Sequence, residues 1–372
     1  MVLMYSMSQN QSKERLTMAD QIVTYSDIFD ANYSVTGIRS ENADNTLVLM
    51  TGSCPPSSTQ KDPQGMLYRG PMNPTDSSQC KCLTPNIPGK SVTSSIFYGP
   101  DTPLFNPSIK AGNVRAVGTY RYATDPLENV DHGVLYEGPP DGSGGIWTPI
   151  DMPPDVVGGA TVRNTIPHST MGELIVGNYD LKGADPGKFN AFIYNINTGM
   201  YQPLTLTLES GDVAKLVTAY GIWQNGIGST SYTIAGGLDK DGKGLNIGYL
   251  VDYDSETCRT SNLKTFKYDN EPTLITHFEG ITECGPDCYS LAATGDQDAA
   301  DRGAAFAVVK RNPDGSFFGE AEWQRVYQAA STGITTGNTV LTNNLFGIYE
   351  TSNGIQSYVA GNLPVAFVKA EG

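Results

Sequence analysis

The sequence predicts an all-β fold: a six-bladed β-propeller with four-stranded blades, its ring closed by an N-terminal strand. Three observations carry this expectation. A glycine-centred strand motif recurs at Thr51-Gly52-Ser53, Val117-Gly118-Thr119, Val176-Gly177-Asn178, Ala235-Gly236-Gly237, Thr294-Gly295-Asp296 and Ala360-Gly361-Asn362, with glycine spacings of 66, 59, 59, 59 and 66 residues. Such a period, built from strand-forming residues, marks one supersecondary unit used repeatedly. The composition, with 41 Gly, 23 Pro and only 17% charged residues, suits short strands joined by tight turns. Finally, 372 residues exceed the usual single-domain length. No composition shift divides the chain, as expected of a closed array whose units bury one another.

Each repeat divides into four strand-like pieces, and the glycine motif closes the second. In the third repeat the pieces span 161–168, 173–179, 189–196 and 201–208, with Asn197-Thr198-Gly199 as a hairpin turn. In the fourth they span 216–223, 231–236, 247–252 and 263–268. The third strands of the six repeats are alike: 65–68, 133–136, 191–194, 248–251, 305–308 and 365–368 are apolar on both faces. Strands sandwiched between neighbouring sheets read this way. The last repeat stops after its third strand at Lys369, while Gln21 to Ser26 is a lone strand at the chain start. That strand is expected to pair beside 365–369 and cover an open edge. Residues 1–20 are expected to be a disordered segment and 21–372 a single domain.

The net charge of −15, from 39 acidic and 24 basic residues, opposes nucleic acid and anionic lipid as partners. No apolar stretch approaches the roughly 20 residues that span a bilayer. Exposed apolar edges on the outer strands would argue for a homodimer. The six cysteines (Cys54, Cys80, Cys82, Cys258, Cys284 and Cys288) form no CxxC pair and the three histidines are scattered, which argues against zinc. Cys284 and Cys288 bracket a turn, and Cys54 can pair with Cys80 or Cys82. With the sequon Asn32-Tyr33-Ser34 these lean towards the secretory pathway or the extracellular space. The N-terminal segment nevertheless lacks the continuous apolar core of a signal peptide. Asp239 to Gly244 opens like a calcium loop but has no closing Glu, and Asp-Gly is ordinary turn chemistry. No metal or cofactor is expected.

First strands should line the central channel. Four align on a Gly-Ile step: Ser34 to Ile38, Thr218 to Ile222, His277 to Ile281 and Asn344 to Ile348. Strand alternation puts Ser34, Thr36, Thr218, Tyr220, His277, Glu279, Asn344 and Phe346 on the channel face. Tyr98, Arg163 and His168 fall in the comparable stretches of repeats two and three. The candidate catalytic residues are therefore His277, Glu279, His168 and Arg163. The candidate substrate-binding residues are Tyr220, Trp223, Phe346, Tyr349, Asn344, Thr218 and Tyr98. His277 and Glu279, about 7 Å apart along a strand, form either a proton-transfer pair or a mutually neutralised one. Asp131-His132 reads as a surface turn. No nucleophile elbow or P-loop is present.

The stretch from Pro167-His168-Ser169-Thr170-Met171-Gly172 to Tyr179, with the scattered cysteines and the missing catalytic motifs, resembles the fungal hetero-Diels–Alderases of tropolonic sesquiterpenoid biosynthesis. The resemblance implies a cofactor-independent pericyclase of meroterpenoid secondary metabolism. It would hold two apolar small-molecule partners in near-attack geometry and polarise a carbonyl by hydrogen bonds. Tyr220, Trp223, Phe346 and Tyr349 would then be walls, while Arg163, His168 and His277 would orient an oxygen. The rival expectations are a carbohydrate-active hydrolase or lyase using His277 and Glu279, and a non-enzymatic lectin-like module.

Overall fold

The computed structural model describes residues 22–127, 129–185, 188–240, 247–268, 277–294 and 303–364. Within these the chain is all-β, apart from one short 3-10 turn at Pro154–Val157. The strands form four-stranded antiparallel units. The first comprises Ser34–Ser40, Val48–Cys54, Gln64–Gly70 and Lys81–Leu83. The second comprises Val92–Asp101, Val114–Tyr122, His132–Gly138 and Ile146–Pro149. The third (Val162–Met171, Leu174–Leu181, Asn190–Asn195, Met200–Pro203) and the fourth (Leu216–Gln224, Ser231–Asp239, Ile247–Asp254, Arg259–Phe266) pack together and are linked by one parallel strand bridge, Asn190 to Val217. The fifth comprises His277–Gly285, Cys288–Thr294, Ala304–Lys310 and Glu322–Val326. The strands expected in repeats three and four are thus found within a few residues.

The last unit corrects the sequence expectation by one strand. Its innermost strand is Thr339–Leu341, followed by Asn344–Thr351 and Gly354–Gly361, with Thr24–Ile28 outermost. Asn344 to Ile348 is therefore a second strand and does not line the axis. The N-terminal strand pairs with Gly354–Gly361, matching Thr24 to Gly361 and Ile28 to Ser357. The expected partner, 365–369, lies outside the described residues, as do residues 1–20, Gly295 and most of the calcium-like loop.

First strands of successive units lie side by side, and Thr339–Leu341 in turn lies against Ser34–Ser40. Side-chain bonds tie that contact: the Val35 amide donates to Ser357 Oγ at 3.0 Å, and Asn338 Nδ2 donates to the Val35 carbonyl at 2.7 Å. The core lies between the sheets. Ile28 and Phe29 from the N-terminal strand pack with Val35, Met50 and Met66 of the first unit and Phe346 of the last.

The glycine repeat has a local cause. The first strands of units one to five each carry a β-bulge at the same place: Val35/Gly37, Phe97/Gly99, Pro167/Ser169, Ala219/Gly221 and Phe278/Gly280. A bulge swings the carbonyl before it towards the facing strand. A Cβ at Gly52, Gly118, Gly177 or Gly236 would lie 1.7, 2.1, 2.4 or 1.9 Å from such a carbonyl oxygen. Gly347, 1.8 Å from Thr336 O by the same measure, holds this place in the last unit. Gly361, the expected sixth copy, is one strand further out.

Disulfides join Cys54 to Cys82 and Cys284 to Cys288, leaving Cys80 and Cys258 as thiols.

Candidate functional site: the axial channel

The extra residue at each bulge turns towards the axis. Thr36, Tyr98, His168, Tyr220 and Glu279, one from each of five consecutive units, all line the axial cavity. Bulges re-aim side chains in this way beside active sites. The rings form a chain around the axis. Tyr98 and His168 lie 4.5 Å apart between centroids, His168 meets Tyr220 edge-on at 4.5 Å, and Tyr220 lies 5.0 Å from His277. Thr51 Oγ1 donates to the Tyr98 carbonyl at 2.6 Å, fixing the bulge from the neighbouring unit.

His277 Nε2 and Glu279 Oε1 are 2.5 Å apart, while His277 Nδ1 is buried with no partner among the described residues. Regular strand geometry would separate the two residues, but the bulge at Phe278/Gly280 turns Glu279 onto the imidazole. Burial raises the Glu279 carboxyl, but the charge and hydrogen bond of His277 outweigh it and hold the pKa below the usual value. Burial lowers His168 to about 4, against the attraction of Glu279. Burial also raises the Tyr98 phenol to about 12 and raises Tyr220 further. Near neutrality the site holds an ionised carboxylate on a histidine, a neutral second imidazole and two protonated phenols.

Among the other expected residues, Thr218 is buried and exchanges hydrogen bonds with the Gly237 backbone. Arg163 is exposed on its strand. Three expected walls pack elsewhere. Phe346 is buried in the core between the first and last units. Tyr349 donates to Asp27 Oδ1 at 3.0 Å, towards the N-terminal strand. Trp223, at the far end of its strand, lies edge-on to Phe105 with centroids 5.4 Å apart. Asn344 bonds within its own turn, to the Leu341 carbonyl and Asn343 Oδ1. Phe346, Tyr349 and Asn344 were misplaced because the innermost strand, Thr339–Leu341, is too short to read from periodicity.

Two residues escaped the sequence reading. Thr36 was placed on the channel face but given no role, although it shares the residue-before-glycine signal with Tyr98, Tyr220 and Glu279. Arg39 crosses the axis at the other end, donating to the Ile222 and Ile281 carbonyls at 2.9 and 3.3 Å. Its guanidinium lies 5.2 Å from the Trp223 ring. The space left among these groups is about 20 Å³, room for one water.

A larger concavity of about 470 Å³ lies off the axis between the fourth and fifth units. Its central cation is already committed: Arg311 clasps Asp252 at 2.6 and 2.8 Å and also bonds Tyr289 and Thr233. Among the described residues, no group of three or more His, Cys, Asp or Glu side chains could hold a metal ion.

Asp131 and His132 do more than turn the chain. Asp131 pairs with Arg121 at 2.6 Å, and His132 sits between Asp125 (2.6 Å) and Asp151 (2.8 Å). Burial opposes the His132 charge, but the two carboxylates raise its pKa above the usual value. Burial likewise raises Asp125, yet the Leu127 amide and His132 bring it below the usual value. The His132 contribution is complete below the unfolded-state pKa of about 6.5 and fades as pH rises through the folded value. The Asp125 contribution fades as pH falls through its lowered pKa. His132→Gln should therefore cost most stability at about pH 5.5 and least at about pH 9, measured by urea denaturation at each pH. An equal cost at both would refute the clip.

No protein-family model and no curated protein matches the chain. Solved structures are similar to it over most of its length. A protein of unknown function from Dyadobacter fermentans is 9% identical, with a TM-score of 0.52 over 91% of this chain and 97% of that one. The luciferin-regenerating enzyme is 11% identical, with a TM-score of 0.45 over 92% and 96%. The Dos1 propeller is 7% identical, with a TM-score of 0.37 over 92% and 96%. At 9% identity the likeness to the Dyadobacter protein is one of fold alone.

Proposed function

We propose that the chain is a six-bladed β-propeller closed by its N-terminal strand, and that it is a proton-transferring enzyme of the hydrolase or lyase class. Its substrate would be a small, hydroxylated, neutral or cationic molecule whose reacting end enters the channel from the His277 side. The observation that carries this reading is the buried His277–Glu279 pair among Tyr98, His168 and Tyr220. With Nε2 turned to the Glu279 carboxylate, His277 keeps Nδ1 for the proton taken from substrate, and the carboxylate steadies the imidazolium that results. Tyr98 and Tyr220 are phenol donors for charge developing on a substrate oxygen. Arg39 blocks the opposite end, so approach is one-sided. The net charge of −15 disfavours anionic substrates.

The cycloaddition reading needs space for two apolar partners between walls that include Trp223, Phe346 and Tyr349. Those side chains pack elsewhere, so the acid–base reading is the better supported. The test is a turnover screen of neutral aryl glycosides and of neutral and amino-sugar oligosaccharides, with His277→Ala, Glu279→Ala and the double variant. General acid–base catalysis contributes about 10²–10⁴-fold, so each single variant should lose about that much kcat. The double should lose little more, because the pair acts as a unit. Losses below about tenfold would return the site to a positioning role, and glycan binding without turnover by the native protein would make it a lectin.

A further inference from the structure

Arg39 poses an electrostatic problem that the proposed chemistry leaves untouched. It is 5% exposed, and its two terminal nitrogens meet only the neutral carbonyls of Ile222 and Ile281. Among the described residues it forms no ion pair, and its Nε is buried without an acceptor. The acidic group that acts on it is Asp101, which is engaged elsewhere. Asp101 accepts from the Thr102 amide at 2.9 Å, from Asn106 Nδ2 at 3.0 Å and from the Gly172 amide at 3.1 Å. A buried cation with no anion in contact and an orphaned N–H is unfavourable unless something fills the gap. Arg39 also lines the axial cavity, whose volume of about 20 Å³ admits one water or one monoatomic ion and excludes sulfate, phosphate or a carboxylate ligand.

We propose that the axial cavity beside Arg39 binds a single halide ion, chloride under ordinary conditions, with Arg39 Nε as its principal donor and the guanidinium as its counter-charge. Ser169 also lines that cavity and would supply a hydroxyl donor, whereas the Thr36 hydroxyl donates to the Phe97 carbonyl. Glu279 lines it too, with Oε1 turned to His277 Nε2 at 2.5 Å. The ion would offset the buried charge of Arg39.

The experiment compares thermal unfolding of the full chain in sodium bromide, sodium chloride and sodium gluconate at matched ionic strength. It is paired with bromide anomalous diffraction from crystals of the native protein. Halide should raise the melting temperature in a saturable way. Above half-saturation, each tenfold rise in concentration should shift the folded-to-unfolded ratio about tenfold. A bromine peak should lie within contact distance of Arg39 Nε, and Arg39→Met should abolish the halide dependence. If Arg39→Met does not fold, the native bromide map decides. A bromine peak at Nε supports the site, whereas only a water there, or equal melting in halide and gluconate, overturns it.

Discussion

Gly37→Ala should be among the most damaging single substitutions in this chain. A Cβ at position 37 would lie 1.9 Å from the Tyr98 carbonyl oxygen, 2.5 Å from Thr51 Oγ1 and 2.7 Å from Pro100 Cδ. The carbonyl cannot retreat easily, because Thr51 Oγ1 holds it at 2.6 Å and Tyr98 is itself set in the bulge. Relief would require the first strands of units one and two to separate, opening the axis. Domains of this kind have about 5–15 kcal/mol of stability, and losses above about 4 kcal/mol come from such core strain. The expected result is a loss of at least about 4 kcal/mol by urea denaturation, or failure to accumulate as folded protein. Gly319→Ala is the control, since a Cβ there meets nothing within 4 Å. It should stay within about 0.5 kcal/mol of the native protein. A Gly37→Ala protein that matched this control would show that the strands do not approach as closely as their backbones indicate.

The same close approaches explain what could be read from the sequence. Gly52, Gly118, Gly177 and Gly236 recur because a bulged carbonyl faces each of them, leaving no room for a side chain. That demand is local and periodic, so it survives in a sequence otherwise free to vary. The last unit was legible only in part. Its glycine of this type is Gly347, but Gly361 falls at a matching interval and the three residues Thr339–Leu341 are too few to show a strand. Moving the frame by one strand sent Asn344, Phe346 and Tyr349 to the wrong places. The channel residues Tyr98, His168, Tyr220, His277 and Glu279 were found because polar and aromatic side chains interrupt otherwise apolar strands. Their mutual contacts were not visible, because strict alternation spaces His277 and Glu279 along a strand and gives no sign of the bulge that joins them. Arg39 was missed for a different reason: a basic residue near a strand end reads as surface, and only the packing of distant units shows it reaching the Ile222 and Ile281 carbonyls.

Removal of residues 1–30 should unfold the chain or leave it associating through an open edge. The deletion takes away the five residue pairs between Thr24–Ile28 and Gly354–Gly361. It also removes Ile28 and Phe29, which are 1% and 4% exposed, and Phe29 meets the Tyr68 ring edge-on at 5.2 Å. Two such side chains contribute about 1.5–3 kcal/mol each. Gln356 Nε2, which donates to the Ile28 and Phe29 carbonyls at 3.0 and 3.2 Å, would lose both acceptors. Together these losses approach the whole stability of a marginal domain. They fall where the last unit meets the first, so the damage should spread along the axis and not remain in one sheet. The uncovered strand Gly354–Gly361 would present free backbone groups to another molecule. Thermal unfolding and sedimentation of the truncated chain should show a melting temperature lower by ten degrees or more (about 3–5 kcal/mol for a chain of this size), with concentration-dependent association. A synthetic peptide of residues 22–33 added in trans should restore the melting temperature as its concentration rises, because it binds the folded chain and not the unfolded one. Rescue assigns the effect to strand pairing. A truncated chain that melts like the native one would mean that the last sheet stands without its outer strand, and the proposed closure would fail.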